Sequence, residues 1–212
     1  HLQWIEKDRI GIVPGLSTWN DDTPDVMRGE EIQIFGALSA QQIQSAQFVL
    51  PGTHSKWAQV LNGKIEAFKT FMTGEFYALL SQHSILAKTC LPDAPLKKDV
   101  FLDGVMQSQK PGGLLHHAFS ARSLALFEKL NPAQSSSYIS GLLIGEEIKS
   151  AKTNTKDEGT PLFILGNGQL TQRYSFAMEA LGTNATALAD EVTWTGLWAL
   201  AHHLYPNDFK LS

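Results

Sequence analysis

The stretch FVLPGTHSKWAQVLNGKIEAFKT, residues 48–70, decides the fold. Its apolar runs have the length and alternation of strands, and Asn62-Gly63 is the dipeptide most typical of a two-residue hairpin turn. The bend PGTHSKW, residues 51–57, carries two hydroxyls, a histidine and a lysine, which a simple reversal of direction would not need. We therefore predict a three-stranded β-meander in which this bend is built to hold a ligand.

Outside this stretch, segments of strand period and helix period alternate, which favours an α/β fold with a mixed sheet flanked by helices. Asn131 and Pro132 have the residue types of a helix cap and a first helical position. We predict a strand at 10–13, a polar loop at 17–25, helices at 29–38, 73–84, 121–130 and 132–152, and a less patterned region at 91–113.

The C-terminal part begins with a buried-strand pattern at 161–165, which ends in Gly166-Asn167-Gly168 and leads into a helix. A strand, a glycine-rich turn and a helix in this order are compatible with a nucleotide site and equally with a plain strand-to-helix turn. A last helix places Trp194 and Trp198 on one face, where we expect them to belong to the core.

Composition excludes several classes of protein. The net charge of -4 and the lack of long Lys/Arg runs argue against a nucleic-acid-binding protein. No apolar stretch is long enough for a membrane span, and Cys90 has no second cysteine with which to form an internal disulfide. We expect a cytoplasmic protein without a nucleic-acid or membrane partner.

Each candidate for chemistry has a plainer alternative. Glu30 and Glu31 suit catalysis, but acidic residues are also favoured in the first turn of any helix. The pairs His116-His117 and His202-His203 lack a second group of ligands at zinc spacing, so we predict no metal site held by protein ligands alone. A hydrolase built on His54 and Ser55 lacks the Gly-x-Ser-x-Gly motif.

Five motifs in a fixed order favour a functional interpretation over these plainer alternatives. They are DVMRGEE (25–31), LPGTHSKW (50–57), FMTGE (71–75), HSIL (83–86) and SGLLIGEEI (140–148). Together they resemble the 2-keto-3-deoxygalactonokinase family over nearly the whole chain. The resemblance implies the fold of the sugar kinase, heat-shock ATPase and actin superfamily. In that fold, two ribonuclease-H-like lobes hold ATP and a sugar in the cleft between them.

The sequence departs from that superfamily in one respect, because no Asp-x-Gly-x-Thr phosphate hairpin opens the chain. Two such lobes need on the order of 250–300 residues, and this chain has 212. We expect a C-terminal fragment in which residues 1–45 are the tail of the first lobe. Residues 46–212 would then be the second, nucleotide-binding lobe.

The resemblance assigns the PGTHSKW bend to the ATP phosphates. Backbone N–H groups and a hydroxyl would bind phosphate oxygens, and basic side chains would offset charge in the transition state. The residues expected there are Gly52, Thr53, His54, Ser55 and Lys56.

By the same resemblance, the glycine-rich turn lies against adenosine. The residues expected there are Gly166, Asn167, Gly168 and Thr171. For Thr171, helix capping is an alternative to nucleotide contact. Arg173, further along the helix, is expected to be a solvated charge.

A kinase also needs a general base for the sugar hydroxyl. Asp25 and Glu30 are both candidates, with a small preference for Asp25 because it keeps the usual residue type and precedes the helix. Arg28 suits the carboxylate of a sugar acid, with Glu31 beside it on the substrate side. Mg²⁺ is expected between the β- and γ-phosphates.

The function implied is ATP-dependent phosphorylation of 2-keto-3-deoxygalactonate to its 6-phosphate. The alternative is a non-catalytic nucleotide- or sugar-binding remnant that lacks the first phosphate motif. A homodimer is a further expectation, since the last helix would expose apolar surface if the first lobe were missing.

Overall fold

The computed structural model of the chain describes residues 3–6, 10–152, 159–166, 168–189 and 191–205. Two hairpins precede the main sheet. Strand β1 (Gln3–Glu6) pairs with β2 (Ile10–Ile12), and β3 (Leu16–Asn20) pairs with β4 (Thr23–Met27), both antiparallel.

A five-stranded sheet forms the centre of the fold. Its strands are β5 (Ala46–Leu50), β6 (Ser55–Leu61), β7 (Lys64–Phe71), β8 (Leu162–Leu165) and β9 (Thr186–Leu188), in the order β7-β6-β5-β8-β9. The first three are antiparallel and the last two run parallel to β5. Asn62 and Gly63 turn the chain between β6 and β7 with φ of 50° and 74°, the left-handed values that this type of hairpin requires. The predicted meander and mixed sheet are confirmed.

Seven α-helices surround the sheet in the described part of the chain. They are α1 (Glu30–Gln41), α2 (Thr73–Ala78), α3 (Lys98–Ser108), α4 (Gly113–Leu126), α5 (Pro132–Lys152), α6 (Gly168–Ala180) and α7 (Val192–Leu204). A π-helical turn, Leu79–His83, and a 3-10 helix, Ile85–Thr89, follow α2. No helix among the described residues combines the length and apolar character that crossing a membrane requires.

The sheet is buried on both faces because side chains alternate along each strand. Phe48 and Leu50 face a core that includes α1, whereas Val49 between them faces a second core that includes α3, α5 and α6. Residues of β8 divide in the same way, with Phe163 in the first core and Ile164 in the second. The centre of the sheet is therefore fixed from two sides.

Helix α5 begins where the sequence predicts. The Asn131 side chain accepts a hydrogen bond from the Gln134 N–H at 3.0 Å, and the Gln134 side chain accepts one from the Asn131 N–H at 2.9 Å. This reciprocal pair satisfies two backbone donors that a helix start leaves free. It fixes the start of the longest helix described.

Glycines allow α3 and α5 to cross at backbone contact. A Cβ at Gly141 would collide with the carbonyl oxygen of Phe101, and one at Gly104 would collide with that of Tyr138. The crossing therefore depends on two positions that have no side chain.

Several boundaries differ from the sequence predictions. The segment predicted as a polar loop at 17–25 lies within the β3–β4 hairpin, and the weakly patterned 91–113 region contains α3. Helix α2 ends at Ala78, and α4 spans Gly113–Leu126 rather than 121–130. The hairpin was missed because both of its faces are largely exposed, so its sequence carries little apolar alternation.

The prediction that Trp194 and Trp198 belong to the core is wrong. Their exposed fractions are 74% and 59%, and both lie on the outer side of α7. The inner side of this helix crosses α1 at Gly36 and Gly196, where a Cβ on either glycine would collide with backbone of the other helix. Periodicity identified an apolar face of α7 but not the fact that the side chains of Trp194 and Trp198 are largely exposed.

Gly141→Ala should destabilise the chain by about 1–3 kcal/mol, because the added Cβ must push α5 away from α3. Without this clash, alanine would favour the helix by about 1 kcal/mol. Urea unfolding followed by circular dichroism measures the difference.

The matched control is Gly168→Ala, since no heavy atom lies within 4 Å of the position where its Cβ would be. Equal unfolding midpoints for the two variants would contradict the proposed clash.

Candidate functional site

A polar cleft of about 580 Å³ lies where four separate stretches of the chain meet. The start of α1, the turn after β5, the end of β8 and the start of α7 all contribute to it. Its walls include Arg28, Glu30, Gly52, Thr53, His54 and Gly166. Clefts of roughly 300–1,000 Å³ are typical ligand sites, so two motifs predicted to act together do line one site.

The turn above the sheet is shorter than the sequence suggested. Strand β6 begins at Ser55, which leaves Pro51, Gly52, Thr53 and His54 as the connection from β5. These four residues are all part of the cleft wall. The second half of PGTHSKW belongs to a buried strand.

Strand alternation sends Ser55 and Trp57 to one face of the sheet and Lys56 to the other. Ser55 is fully buried, and its hydroxyl forms a hydrogen bond of 2.9 Å with the Tyr174 hydroxyl. The Trp57 indole N–H donates to Glu147 Oε1 at 2.7 Å. Both side chains therefore point into the protein rather than into the cleft.

Glu147 is the centre of this buried network. Its Oε2 accepts hydrogen bonds from the hydroxyls of Tyr174, at 2.6 Å, and of Thr73. Burial raises the pKa of Glu147, and the hydrogen bonds from Thr73, Tyr174 and Trp57 oppose that rise. Burial, and next the charge of Glu147, raise the pKa of Tyr174 well above its usual value. One carboxyl thus joins β6, α2, α5 and α6 beneath the turn.

Lys56 anchors the opposite face. Its ammonium group is buried with the rest of the side chain and donates to the carbonyl of Val26 at 2.9 Å and to Thr70 Oγ1 at 2.7 Å. The Thr70 hydroxyl donates in turn to Asp25 Oδ1 at 2.5 Å, and the Thr70 N–H donates to Asp25 Oδ2 at 2.7 Å. Both oxygens of Asp25 therefore bind β7, and this contact fixes the β3–β4 hairpin against the sheet.

The two glutamates that begin α1 lie in different environments. Glu30 is partly exposed in the cleft, and its Oε2 accepts a hydrogen bond from the Arg28 N–H at 3.0 Å. Glu31 is 3% exposed, with Oε2 accepting from the Gly29 N–H at 2.7 Å and a buried Oε1 that has no hydrogen-bond partner among the described residues. Arg28 itself is exposed in the cleft wall.

The end of β8 closes the floor of the cleft. A Cβ at Gly166 would lie 3.5 Å from Pro51 Cδ and 3.6 Å from Thr171 Oγ1, so this position lies between the turn and α6 with room for a Cβ. Thr171 is buried, and its hydroxyl has no partner in the described part of the chain, so it does not cap α6. Gly168 begins that helix, and Asn167 lies outside the described residues.

Arg173 is not the solvated charge that the sequence suggested. Its Nη1 donates to Ser140 Oγ at 3.0 Å. The side chain lines a small cavity of about 60 Å³ behind the turn, together with Gly52, Tyr77 and Tyr174. The cavity thus extends from the turn toward α6.

Two features of the site were absent from the sequence predictions. Glu147 carried no assigned role, although it lies on the same helical stripe as the buried Ile144 and Ala151, and that spacing could have identified it. The anchoring role of Lys56 needed strand register to be known. Within the described ranges, no three His, Cys, Asp or Glu side chains come together as metal ligands would.

Comparison with known proteins gives consistent results. The family model for 2-keto-3-deoxy-galactonokinase matches residues 1–200. The 2-dehydro-3-deoxygalactonokinase of Escherichia coli K12 is 36% identical over 196 residues, which are 92% of this chain and 66% of that protein. A candidate 2-dehydro-3-deoxygalactonokinase of Rhizobium meliloti is 35% identical over 95% of this chain and 67% of its own length. The chain thus spans about two thirds of the length of these relatives.

Comparison with solved structures agrees with the sequence comparisons. A crystal structure of a candidate 2-dehydro-3-deoxygalactonokinase from Sinorhizobium meliloti has a TM-score of 0.86 at 34% identity, covering 92% of this chain and 66% of that one. The activator of 2-hydroxyisocaproyl-CoA dehydratase from Clostridium difficile, solved with bound ADPNP, has a TM-score of 0.54 at 11% identity, over 88% of this chain and 70% of that one. The second likeness concerns the fold alone. The predicted actin-like ATPase fold is confirmed.

Replacing Glu147 tests the buried network. Glu147→Leu should cost about 2–5 kcal/mol of unfolding free energy, because it leaves the buried Trp57 N–H without its acceptor and removes the acceptor of the Tyr174 and Thr73 hydroxyls. Glu147→Gln keeps an acceptor for Trp57 and should cost less. Thermal and urea unfolding measure both values, and equal costs for the two variants would contradict the hydrogen-bond argument.

The pKa of Glu147 determines the direction in which the stability of the chain changes with pH. A pKa that is higher in the folded than in the unfolded chain means that the folded state binds more protons between the two values, so stability falls as the pH rises through that window. Glu147 has such a raised pKa, above its ordinary value of 4.5. The wild type should therefore lose stability relative to Glu147→Gln as the pH rises from 4.5, and a constant difference would contradict the raised pKa.

Proposed function

Because the chain belongs to the 2-keto-3-deoxy-galactonokinase family, we propose that it forms the nucleotide-binding part of an ATP-dependent kinase. The substrate would be 2-keto-3-deoxygalactonate and the product its 6-phosphate. The observation that carries this proposal is the cleft that the 51–54 turn and the start of α1 line together. Phosphoryl transfer to a hydroxyl needs a phosphate site and a proton acceptor within one cleft.

On the phosphate wall, Gly52 would let the backbone approach the phosphates, and Thr53 and His54 would contribute a hydroxyl and an imidazole. All three line the cleft. Ser55 and Lys56 belong to the same predicted phosphate set, but their polar side-chain atoms are engaged below the turn. We propose that Ser55 and Lys56 take part in phosphate binding through their backbone only, and that their side chains give the turn rigid support.

Asp25 and Glu30 are the two candidates for the general base, and of the two Glu30 is among the residues that line the cleft. Three hydrogen bonds from Val26 and Thr70 occupy the oxygens of Asp25, whereas Glu30 is partly exposed in the cleft. This geometry favours Glu30 as the proton acceptor. Asp25 would then act as the residue that holds the β3–β4 hairpin against the sheet.

The sugar acid would bind at the start of α1. Arg28 is exposed in the cleft wall, and a guanidinium group binds a carboxylate through two parallel hydrogen bonds. Glu31, proposed beside it, is buried under Gly29 and would act by fixing the backbone there. The substrate carboxylate would thus approach beside the base.

Adenosine would lie toward the end of β8, with Gly166, Asn167, Gly168 and Thr171 as the proposed contacts. The buried Thr171 hydroxyl, which has no hydrogen-bond partner among the residues that the structure describes, lies next to Gly166, and this supports a role for this corner in binding. Mg²⁺ would be held mainly by phosphate oxygens and water, in keeping with its preference for oxygen ligands and its slow dehydration. When bound, it would offset negative charge on the phosphates.

We further propose that residues 1–45 are the tail of a first lobe and residues 46–212 a second lobe. The exposed side chains of Trp19, Trp194 and Trp198 support this division, because exposed aromatic groups commonly mark an interface. The relatives, of which the chain spans about two thirds, have enough additional length for such a lobe.

The kinase proposal predicts ADP release that depends on 2-keto-3-deoxygalactonate. The assay couples ADP to NADH oxidation and uses the longest open reading frame that contains this sequence. Glu30→Gln should lower kcat by about 10²–10⁴-fold with little change in KM, because general-base catalysis contributes about that factor. Asp25→Asn, the matched control, should lower thermal stability more than kcat.

The reverse ranking of the two variants would identify Asp25 as the base. Absence of turnover in the wild type, with ATP binding retained in calorimetry, would overturn the kinase proposal in favour of a nucleotide-binding remnant.

The domain proposal predicts opposite effects of one double variant in two proteins. Trp194→Gln with Trp198→Gln should improve the solubility of the 212-residue chain, or shift a dimer to monomer, because it removes exposed apolar surface. In the longer open reading frame the same pair should lower the melting temperature, since a cover would be lost. Light scattering and calorimetry measure the two effects, and improvement in both proteins would argue against a covering lobe.

A further inference from the structure

The start of α2 holds the 51–54 turn from the side opposite Gly166. A Cβ at Gly74 would collide with the carbonyl oxygen of Gly52 and would lie 2.8 Å from Thr53 Cα. The Glu75 N–H donates to the Thr53 carbonyl at 3.0 Å, and Thr73 is bound to Glu147 from below. Gly74 and Glu75 thus contact the turn directly, and Thr73 ties their segment to the buried Glu147.

The Glu75 side chain makes one more contact, and it reaches the cleft. Its Oε2 lies 2.5 Å from Nε2 of His54, with the two side chains 39% and 49% exposed. His54 is part of the cleft wall beside Gly52 and Thr53. The pair therefore lies at the rim of the proposed phosphate site, where a ligand can reach the histidine.

The carboxylate of Glu75 determines which ring nitrogen of His54 carries a proton. An ionised carboxylate can only accept, so the hydrogen bond requires a proton on His54 Nε2. The other nitrogen, Nδ1, is then the one that remains for a ligand. Rotation about the side-chain bonds is restricted as well, because Glu75 is itself fixed to the turn through its backbone.

We propose that Glu75 is a positioning residue for His54: it holds the ring at the phosphate end of the cleft, with Nε2–H donated to the carboxylate and, in the imidazolium form, Nδ1–H directed to the transferring group. The inference rests on the proposed kinase function and deepens it by assigning a role to the FMTGE motif. When the ring carries its second proton, Nδ1–H is a donor aimed in advance at developing charge, and such a donor needs no reorganisation during the reaction. The simpler alternative is that Glu75 only stabilises α2, because an acidic residue is favoured in the first turn of a helix. The experiments must distinguish this role from the positioning of His54.

The first measurement does not need activity. In long-range ¹H–¹⁵N spectra of the histidine rings, the spectrum of His54→Gln identifies the signals of His54. The wild type should show Nε2 protonated at a pH where the ring is neutral, and Glu75→Ala should show a mixture of both tautomers. Glu75→Gln should keep part of the preference, because its amide oxygen can accept the same hydrogen bond. An unchanged spectrum in Glu75→Ala would overturn the proposal.

The second measurement is kinetic, on the longest open reading frame that contains the chain. Glu75→Ala and His54→Gln should each lower kcat by about tenfold with KM for ATP changed much less, as expected for a donor that acts in the transition state. The double variant should be no slower than His54→Gln alone, because Glu75 acts through His54. Additive losses, or a loss confined to KM, would overturn the positioning role.

Glu66→Gln is the matched control, since it removes the same charge from an exposed site on β7. It should change neither the ring spectrum nor kcat. If it lowers kcat as much as Glu75→Gln does, the loss of kcat comes from the change in net charge and not from the contact with His54, and the proposal fails. A wild type without turnover, but with the tautomer lost in Glu75→Ala, would overturn the kinase function and support the pairing.

Discussion

The buried carboxyl of Glu147 is the group on which the site depends. It lies on α5 and accepts hydrogen bonds from β6, from the start of α2 and from α6. A carboxyl in the interior is unfavourable unless donors surround it, so these elements must keep their relative positions for the group to remain satisfied. The network thus determines where the 51–54 turn ends and where α2 begins, two conditions for the shape of the cleft.

Strand β6 carries that constraint to both sides of the sheet. On one face Ser55 and Trp57 connect the turn to Tyr174 and Glu147, and on the other Lys56 connects it to Val26 and Thr70. The two parts of the PGTHSKW motif therefore have different roles. Its first four residues line the cleft, and its last three hold those four in place. In the proposed phosphate site, a turn fixed in this way would bind an anion without first having to become ordered, which favours binding.

The sequence was sufficient for those parts of the fold whose local signals are strong. Asn62-Gly63 and the Asn131-Pro132 start each have one favoured local structure, so the meander and α5 could be located. Helix α3 was missed because it packs on α5 through Gly104, a residue that weakens any helical pattern. Trp194 and Trp198 were placed in the core because an apolar face predicts burial but does not say what covers it.

For the site, the sequence could identify the two motifs but not the direction of each side chain. Asp25 and Glu30 are equally acidic in the sequence, and only the packing of the β3–β4 hairpin against β7 reveals that Thr70 occupies the first. The same holds for Ser55, whose orientation follows from where β6 begins. Residue type predicts what a group can do, whereas its hydrogen-bond partners decide whether it is free to do it.

Lys56 and the α1–α7 crossing connect the two walls of the cleft. The Lys56 bond to the Val26 carbonyl runs from the strand under the turn to the segment that leads into α1, across the proposed lobe boundary at residue 45. Helix α7 crosses α1 at Gly36 and Gly196 and places Thr193 in the same cleft as Glu30. A shift of α1 along α7 would therefore change the distance between Glu30 and the turn, unless Lys56 held that distance. Because an ammonium group that gives up such a buried partner needs another acceptor or water, the bond favours one spacing of the two walls.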